Sequence, residues 1–423
     1  MISFAAAQAL LHQVSDRLPT ESVSLAESLN RVAAEAVASR ETIPPCANSA
    51  MDGFAVRAWD IANATGATAV TLAVRGRTAA GEPPATGVVV AASAWRIMTG
   101  APMPVGYDAV LAIETVRMSA DQQHIDVSAP VAVGQHIRAA GEDFVCGEPV
   151  LQPGERVTPA HIAALASAGI GELQVVRVLR VSHFATGNEL VADPQQVLAP
   201  GQIRNSNSPF LSAVLAQQHV AGHYGGQLRD EPQLFAGRLR VLCSGAPADG
   251  VAPDIVLTTG AVSAGDFDFV PEVIADLGGE IIFHKVAIKP GKPILFARLP
   301  NGSYFFGLPG NPVSTAIGFR FFVLPLLHHL QGLPPAPPLW AALSGEQHKP
   351  KPDWRHFLKA QLFVDGDGLL RVRAPGGQES HKIKPLLHSD VWLVLDEGRC
   401  DFREGARVPV AGLYGDNLPW RLR

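Results

Sequence analysis

Three glycine-centred turns and three lysines fall within residues 254–315 of the chain. The turns are Thr258-Thr259-Gly260-Ala261-Val262-Ser263, Lys289-Pro290-Gly291-Lys292-Pro293 and Leu308-Pro309-Gly310-Asn311-Pro312-Val313-Ser314. Glycine lets a backbone approach a ligand closely, and free amides at the start of a following helix attract anions. Lys285, Lys289 and Lys292 add positive charge, so the stretch has the makings of a pocket for a multiply charged anion. If residues 281–288 form one strand, Lys285 and Lys289 point to the same face, where they repel unless an anion or carboxylates lie between them. A solvated sheet edge is the plainer reading of that spacing. Neither the 258–263 turn nor the 310–314 turn matches a Walker A or dinucleotide-binding fingerprint, so neither a nucleoside triphosphate nor a dinucleotide site is indicated.

The acidic counterpart is spread along the chain. Asp52, Asp143, Glu189, Asp230 and Asp268 each sit in or near an expected turn. Several carboxylates meeting at one phosphate would bind Mg²⁺, which takes oxygen ligands and bridges to substrate phosphates. Taken one at a time, each is an ordinary solvated turn residue. The fourteen histidines include no metal-binding spacing.

These groups need elements to hold them. The runs Ile255-Val256-Leu257, Val286-Ala287-Ile288 and Tyr304-Phe305-Phe306 precede the three turns and read as buried parallel strands with loops at their carboxyl ends. In open α/β sheets ligands bind at that edge. Residues 174–330 alternate strand and helix, with strands expected at 175–181, 255–257 and 281–288 and helices after Ser208-Pro209 and over 270–277. Residues 1–43 are expected to be helical, from Leu10, Leu11, Val14, Leu18 and then Leu25, Leu29, Val32, Ala36, stopping at Pro44-Pro45. Residues 44–143 change to short β runs, at 88–90, 95–98, 109–113 and 125–127, and look like an inserted domain. Thr158-Pro159 and Gly169 bracket a helix that returns the chain to the first layer, which makes the first domain discontinuous. The Pro-rich residues 333–338 read as a stiff linker into a small C-terminal β domain with strands at 357–364, 369–372, 391–395 and 407–410. The expected partition is 1–43 plus 144–175, 44–143, 176–330 and 331–423.

Composition sets the class. Hydrophobic residues make up 47% and charged residues 17% of 423, which is globular and large enough for several domains. A net charge of −5 with no basic run argues against nucleic-acid binding. Cys46, Cys146, Cys243 and Cys400 form no CxxC pair, which fits buried thiols in a reducing compartment. The apolar segment 319–330 is too short to span a bilayer, and residues 1–14 lack a signal-peptide pattern. A soluble cytoplasmic protein without membrane contact is expected.

Six motifs in order resemble the molybdopterin molybdenumtransferase family, the MoeA proteins and the E domain of gephyrin. They are Asn48-Ser49-Ala50-Met51-Asp52-Gly53-Phe54-Ala55-Val56, Arg96-Ile97-Met98-Thr99-Gly100-Ala101-Pro102, Gly141-Glu142-Asp143, Ala185-Thr186-Gly187-Asn188-Glu189-Leu190, Lys289-Pro290-Gly291-Lys292-Pro293 and Gly307-Leu308-Pro309-Gly310-Asn311-Pro312-Val313-Ser314. The resemblance runs nearly end to end. It implies an α/β multidomain fold: a helical dimerisation domain, an inserted small β domain, a three-layer molybdopterin-binding domain with a mostly parallel sheet, and a C-terminal β-barrel-like domain. It implies insertion of molybdate into adenylylated molybdopterin with release of AMP, in an elongated homodimer whose active site draws on both subunits. A non-catalytic molybdopterin carrier or scaffold is the alternative.

By that resemblance Asp52, Thr99, Asp143, Glu189, Asp230 and Asp268 are catalytic, and Asp52, Asp143, Glu189 and Asp268 place Mg²⁺. Thr259, Gly260, Ser263, Lys285, Lys289, Lys292, Pro309, Gly310, Asn311 and Pro312 hold the substrate, with Ser314 and Ser380 bonding molybdate. Molybdopterin adenylyltransferase and molybdoenzyme apoproteins or their chaperones are the implied partners. The chain departs from the pattern where Ala261 replaces a glycine, Cys46-Ala47 an aromatic-acidic pair, and Arg204-Asn205 a Tyr-Asp.

Overall fold

The computed structural model describes residues 1–87, 89–244, 251–262, 269–345, 351, 353–398 and 402–416. The chain forms two compact units, one of residues 1–21, 30–32 and 176–423, the other of 22–29 and 33–175.

The first unit is built on a six-stranded sheet in the order Ala221–Leu228, Arg180–Thr186, Ile255–Thr259, Tyr304–Leu308, Leu295–Arg298, Glu280–His284. Five strands run the same way, and only Leu295–Arg298, between Tyr304–Leu308 and Glu280–His284, is antiparallel to its neighbours. Ile255–Thr259 and Tyr304–Leu308 are buried along their whole length, because helices cover both faces. On one face Ile255, Leu257 and Phe306 pack with Leu211, Leu215 and Ile317. On the other, Val256 and Phe305 pack with Phe235, Leu239 and Ile274. Side-chain alternation along each strand thus makes the three layers.

The last parallel strand feeds a continuous helix, Pro312–Leu330, which carries a π-helical turn at Phe319–Val323. It is 19 residues long and apolar enough to cross a bilayer, yet 78% of it is buried in this core. Beyond the proline linker, strands Leu339–Leu343, Arg355–Val364, Leu370–Arg373, Val391–Leu395 and Arg407–Gly412 close into a barrel, since Arg355–Val364 pairs with both Leu370–Arg373 and Val391–Leu395. The two-residue strand Ile288–Lys289 joins the same sheet by pairing in parallel with Arg355 and His356.

The second unit holds a six-stranded sheet in the order Ala109–Ala112, Gly53–Val56, Ser93–Ile97, Val70–Thr78, His124–Val127, Val116–Met118, around a core of Phe54, Val56, Leu72, Leu111 and Ile125. Gly53 is obligatory, because a Cβ there would sit 1.8 Å from the Leu111 carbonyl oxygen. Helix Pro159–Ser167 starts with a capping box between Thr158 and His161 and ends before Gly169 at φ +73°.

The α/β class, the mostly parallel sheet and the C-terminal barrel are as the sequence implies. Several local expectations are corrected. Only Phe4–His12 is helical in the first 43 residues; Leu25, Leu29, Val32 and Ala36 lie in a 3-10 turn and loops, with short strands at Thr20–Ser24 and Val37–Ala38. Their helical spacing loses to pairing with the 149–151 and 172–176 segments. Residues 175–181 are not one strand: they span the end of Glu172–Val176, a break at 177–179 and the start of Arg180–Thr186. Val89 and Val90 are loop, Val88 lies outside the described residues, and the strand is Val70–Thr78 instead. The helix expected after Ser208 begins at Asn207, preceded by Ser206. Cys46 and Cys146 are exposed, not buried, and Cys243 is half-buried; Cys400 lies outside the described residues.

Candidate functional site

The parallel strands end side by side, which brings their following turns into a row. Registers Thr186–Leu228, Ala185–Thr259 and Thr259–Leu308 align those ends. The row therefore runs from Asp230, through Gly187-Asn188-Glu189 and Gly260-Ala261, to Pro309-Gly310-Asn311. Gly260 N–H donates to the Leu308 carbonyl at 3.0 Å, fastening two of the turns together. Gly260 has φ +99°, and a Cβ would meet the Thr186 carbonyl oxygen at 2.6 Å. Ala261, next to it, is held at φ +53°, a left-handed conformation in which a non-glycine residue is strained. Asn207 Nδ2 donates to the Gly310 carbonyl at 2.8 Å, and Thr315 Oγ1 donates to the Pro309 carbonyl at 2.7 Å.

At the basic end of the row the three glycine turns enclose a cavity of about 310 Å³. Ala261 and Val262 come from the first turn, Lys289 to Pro293 from the second, and Pro309, Gly310, Asn311 and Ser314 from the third. Ser380 and Trp354, from the C-terminal part, complete the wall. Lys289 and Lys292 are exposed, while Ser314, in the first turn of the long helix, is buried. A helix start, turn amides and two ammonium groups favour an oxyanion there. A second cavity of about 700 Å³ shares Lys289, Pro290 and Ser380 with it and adds Lys351 and His356. Burial, then the charges of Lys289 and Lys351, hold the His356 imidazole below its ordinary pKa. Its Nε2 atom is buried without a hydrogen-bond partner.

Seven expected substrate residues thus line one cavity: Lys289, Lys292, Pro309, Gly310, Asn311, Ser314 and Ser380. Thr259, Gly260 and Pro312 lie within a residue or two of its wall without lining it. The expected pairing of Lys285 with Lys289 on one strand face is corrected. The strand ends at His284, Lys285 turns to φ +67°, and Lys289 belongs to the strand paired with the barrel. Lys285 contributes through its backbone, donating to the Ile294 carbonyl at 2.9 Å and accepting from Ile2 N–H at 3.0 Å. Trp354 was not legible as a site residue. Its ring lies 5.8 Å from Lys292 Nζ and 5.6 Å from Lys351 Nζ, and a tryptophan close to lysines in sequence was the available signal.

The acidic residues divide between places. Asp230 Oδ2 accepts from Asn188 N–H at 3.1 Å, beside exposed Glu189. In the second unit Asp52 Oδ1 accepts from Thr99 N–H at 2.6 Å and from Thr99 Oγ1 at 3.0 Å. The main-chain bond first, then the hydroxyl, hold its carboxyl below the ordinary aspartate range. Exposed Asp143 follows the Gly141 turn, with its N–H on the Ile43 carbonyl at 3.0 Å. Ser263 and Asp268 lie outside the described residues. Among the described residues no three His, Cys, Asp or Glu side chains gather as a metal site.

Comparison with known proteins covers the chain. Residues 2–169 match the MoeA N-terminal region (domain I and II), 183–329 a probable molybdopterin binding domain, and 341–413 the MoeA C-terminal region (domain IV). A molybdopterin molybdenumtransferase of Synechococcus elongatus is 38% identical over 416 residues, covering 98% of this chain and 100% of the relative. Another from Haemophilus influenzae is 35% identical over 408 residues, covering 95% and 96%. A crystal structure of a molybdopterin biosynthesis MoeA protein from Pyrococcus horikoshii superposes with a TM-score of 0.80 at 28% identity, over 97% of this chain and 99% of that one.

Proposed function

The chain belongs to the molybdopterin molybdenumtransferase family, and from that premise we propose how its own residues carry the reaction. It is a transferase of molybdenum cofactor biosynthesis, with molybdate and adenylylated molybdopterin as substrates. The observation that carries the site assignment is the single cavity where Lys289, Lys292, Ser314 and Ser380 meet the three glycine turns. Ser314 and Ser380 donate hydrogen bonds to molybdate, and Lys289 and Lys292 balance its charge. Lys285, Thr259, Gly260, Ser263 and the Pro309-Gly310-Asn311-Pro312 turn hold the phosphate-bearing pterin along the strand-end edge. Burying the oxyanion among preset donors favours its addition to the dithiolene, in which two Mo–S bonds form as one oxygen leaves as water with the two thiol protons, and water attacks the phosphoanhydride so that its P–O bond breaks to AMP and the pterin phosphate.

Asp52, Thr99, Asp143, Glu189, Asp230 and Asp268 form the acidic side, which orients the attacking group at the phosphoanhydride. Asp52, Asp143, Glu189 and Asp268 would supply the oxygen ligands that Mg²⁺ prefers. Glu189 and Asp230 alone do not make a site for such an ion. We propose a homodimer in which Asp52, Thr99 and Asp143 of one subunit serve the cavity of the other. Four domains, 1–43 plus 144–175, 44–143, 176–330 and 331–423, suit that division, as does a cytoplasmic location where the adenylyltransferase and the acceptor apoproteins or their chaperones meet it.

Purified protein given molybdate, Mg²⁺ and adenylylated molybdopterin should release AMP and yield cofactor that activates an apo-molybdoenzyme. Absence of AMP release under those conditions would sink the reading. Mixing inactive Asp52→Asn and Lys292→Gln proteins should restore activity through hybrid dimers; no recovery on mixing excludes the shared site.

A further inference from the structure

Lys359 is fully buried in strand Arg355–Val364, a position where an apolar residue would suit the core at lower cost. Its ammonium has three N–H donors and meets three main-chain carbonyls, those of Gly377 at 2.7 Å, Lys382 at 3.1 Å and Glu379 at 3.3 Å. All three acceptors belong to the loop that carries Ser380. The backbone of Lys359 holds the same loop from another direction. Its N–H donates to Gln378 Oε1 and its carbonyl accepts from Gln378 Nε2, both at 2.9 Å, so a side-chain amide takes the place of a missing strand. Gln378 Nε2 also donates to the Pro375 carbonyl at 2.7 Å. The far side of the loop is fixed where the Ser380 carbonyl accepts from Val313 N–H at 3.1 Å, at the start of the long helix.

We infer that Lys359 is a positioning residue for the oxyanion substrate: its ammonium gathers the 377–382 carbonyls and thereby sets Ser380 at the cavity wall. The inference rests on the proposed role of Ser380 toward molybdate. Three residues before Lys359 the same strand pairs with Lys289, through His356. One strand therefore fixes both a cationic and a hydroxyl component of the cavity, although the ammonium of Lys359 does not line it. The carbonyls are the reason a cation is needed here. Removing it would leave the Gly377 and Lys382 carbonyls turned inward without donors, the Glu379 carbonyl keeping only the Lys382 N–H at 3.1 Å, and the loop would have to rotate to find water.

Steady-state AMP release at varied molybdate tests this in the full-length protein. Lys359→Met should raise the molybdate KM about tenfold, the loss of one or two hydrogen bonds' worth of affinity, with kcat and the KM for adenylylated molybdopterin within about threefold. Lys359→Arg, which keeps charge and donors, should recover most of that loss. Ser380→Ala should raise the molybdate KM similarly, and the double variant should be no worse than the poorer single. Gln378→Ala, which leaves no buried acceptor cluster unpaired by an ammonium, gives a milder rise of the same kind and serves if Lys359→Met does not fold. If Ser380→Ala leaves the molybdate KM unchanged, the role of Ser380 fails and the inference falls with it. If Ser380→Ala raises it while Lys359→Met and Gln378→Ala lower only stability or kcat, or if the effects multiply, the inference alone is overturned.

Discussion

At the scale of single residues, the chemistry depends on side chains held by neighbours far away in sequence. The Trp354 ring at the cavity lies near Lys292, which lines it too, and near Lys351, and cation–π contacts of this kind are worth about 0.5–1 kcal/mol at exposed sites. Trp354→Ala should therefore weaken retention of the anionic substrate by roughly two- to fivefold in KM, read from a substrate titration. His183 behaves differently. Burial, then the nearby His223, push its imidazole down to about 4, and its Nε2 lies 3.0 Å from Ser212 Oγ. The unfolded chain takes up a proton near 6.5 while the folded chain resists until about 4, so stability is complete above 6.5 and falls as pH drops between those values. The loss is on the order of 3 kcal/mol, and His183→Gln should flatten the acid limb of a melting-temperature curve against pH. An unchanged acid limb in that variant would assign the loss to other groups. Lys289, Lys292 and the Pro-Gly turns that line the cavity were readable from residue type and spacing, while Ser380 came only with the family resemblance. Lys359 and Trp354 were not readable, because what they do depends on a strand and a loop that sequence spacing does not connect.

At the scale of elements, glycine and its neighbours decide whether the turns can approach each other. Gly260→Ala forces a Cβ to within 2.6 Å of the Thr186 carbonyl oxygen at φ +99°, so the turn must shift. A destabilisation of about 2 kcal/mol or more and a near-complete loss of AMP release are expected, measured by denaturant unfolding and a single-point assay. Ala261→Gly acts in the opposite sense, relieving a left-handed alanine at φ +53° and gaining a few tenths up to about 1 kcal/mol. The continuous apolar runs of the parallel strands were legible because both faces of the sheet are buried. The break at Lys285 was not. Alternation continued through it on paper, while the backbone leaves the sheet there so that Val286 bridges Ile2 and Ile288 joins the barrel. Residues 25–36 failed for a related reason: helical spacing of apolar side chains is satisfied equally by loops packed on a small core of Leu151, Leu165 and Val175.

At the scale of the molecule, the α/β class was legible from the alternation of strand and helix over residues 174–330. The closure of the C-terminal strands followed from the family resemblance alone, since strand signals carry no partner. That closure has a consequence in time. Residues 255–259 and 304–308 can pair once the central layer condenses, but Ile288–Lys289 acquires its partner only when Arg355–Val364 is in place. A two-residue pairing that ties this turn to a second sheet follows the sheets themselves, because the loop entropy lost in bringing them together is repaid by few contacts. The lysine turn should thus be among the last parts of the molecule to mature. In stopped-flow refolding, helix and sheet signals should recover in an early phase and the ability to retain molybdate in a later one. Simultaneous recovery would mean that barrel and central sheet form in one step. A chain caught between the two phases would have its secondary structure and lack its site.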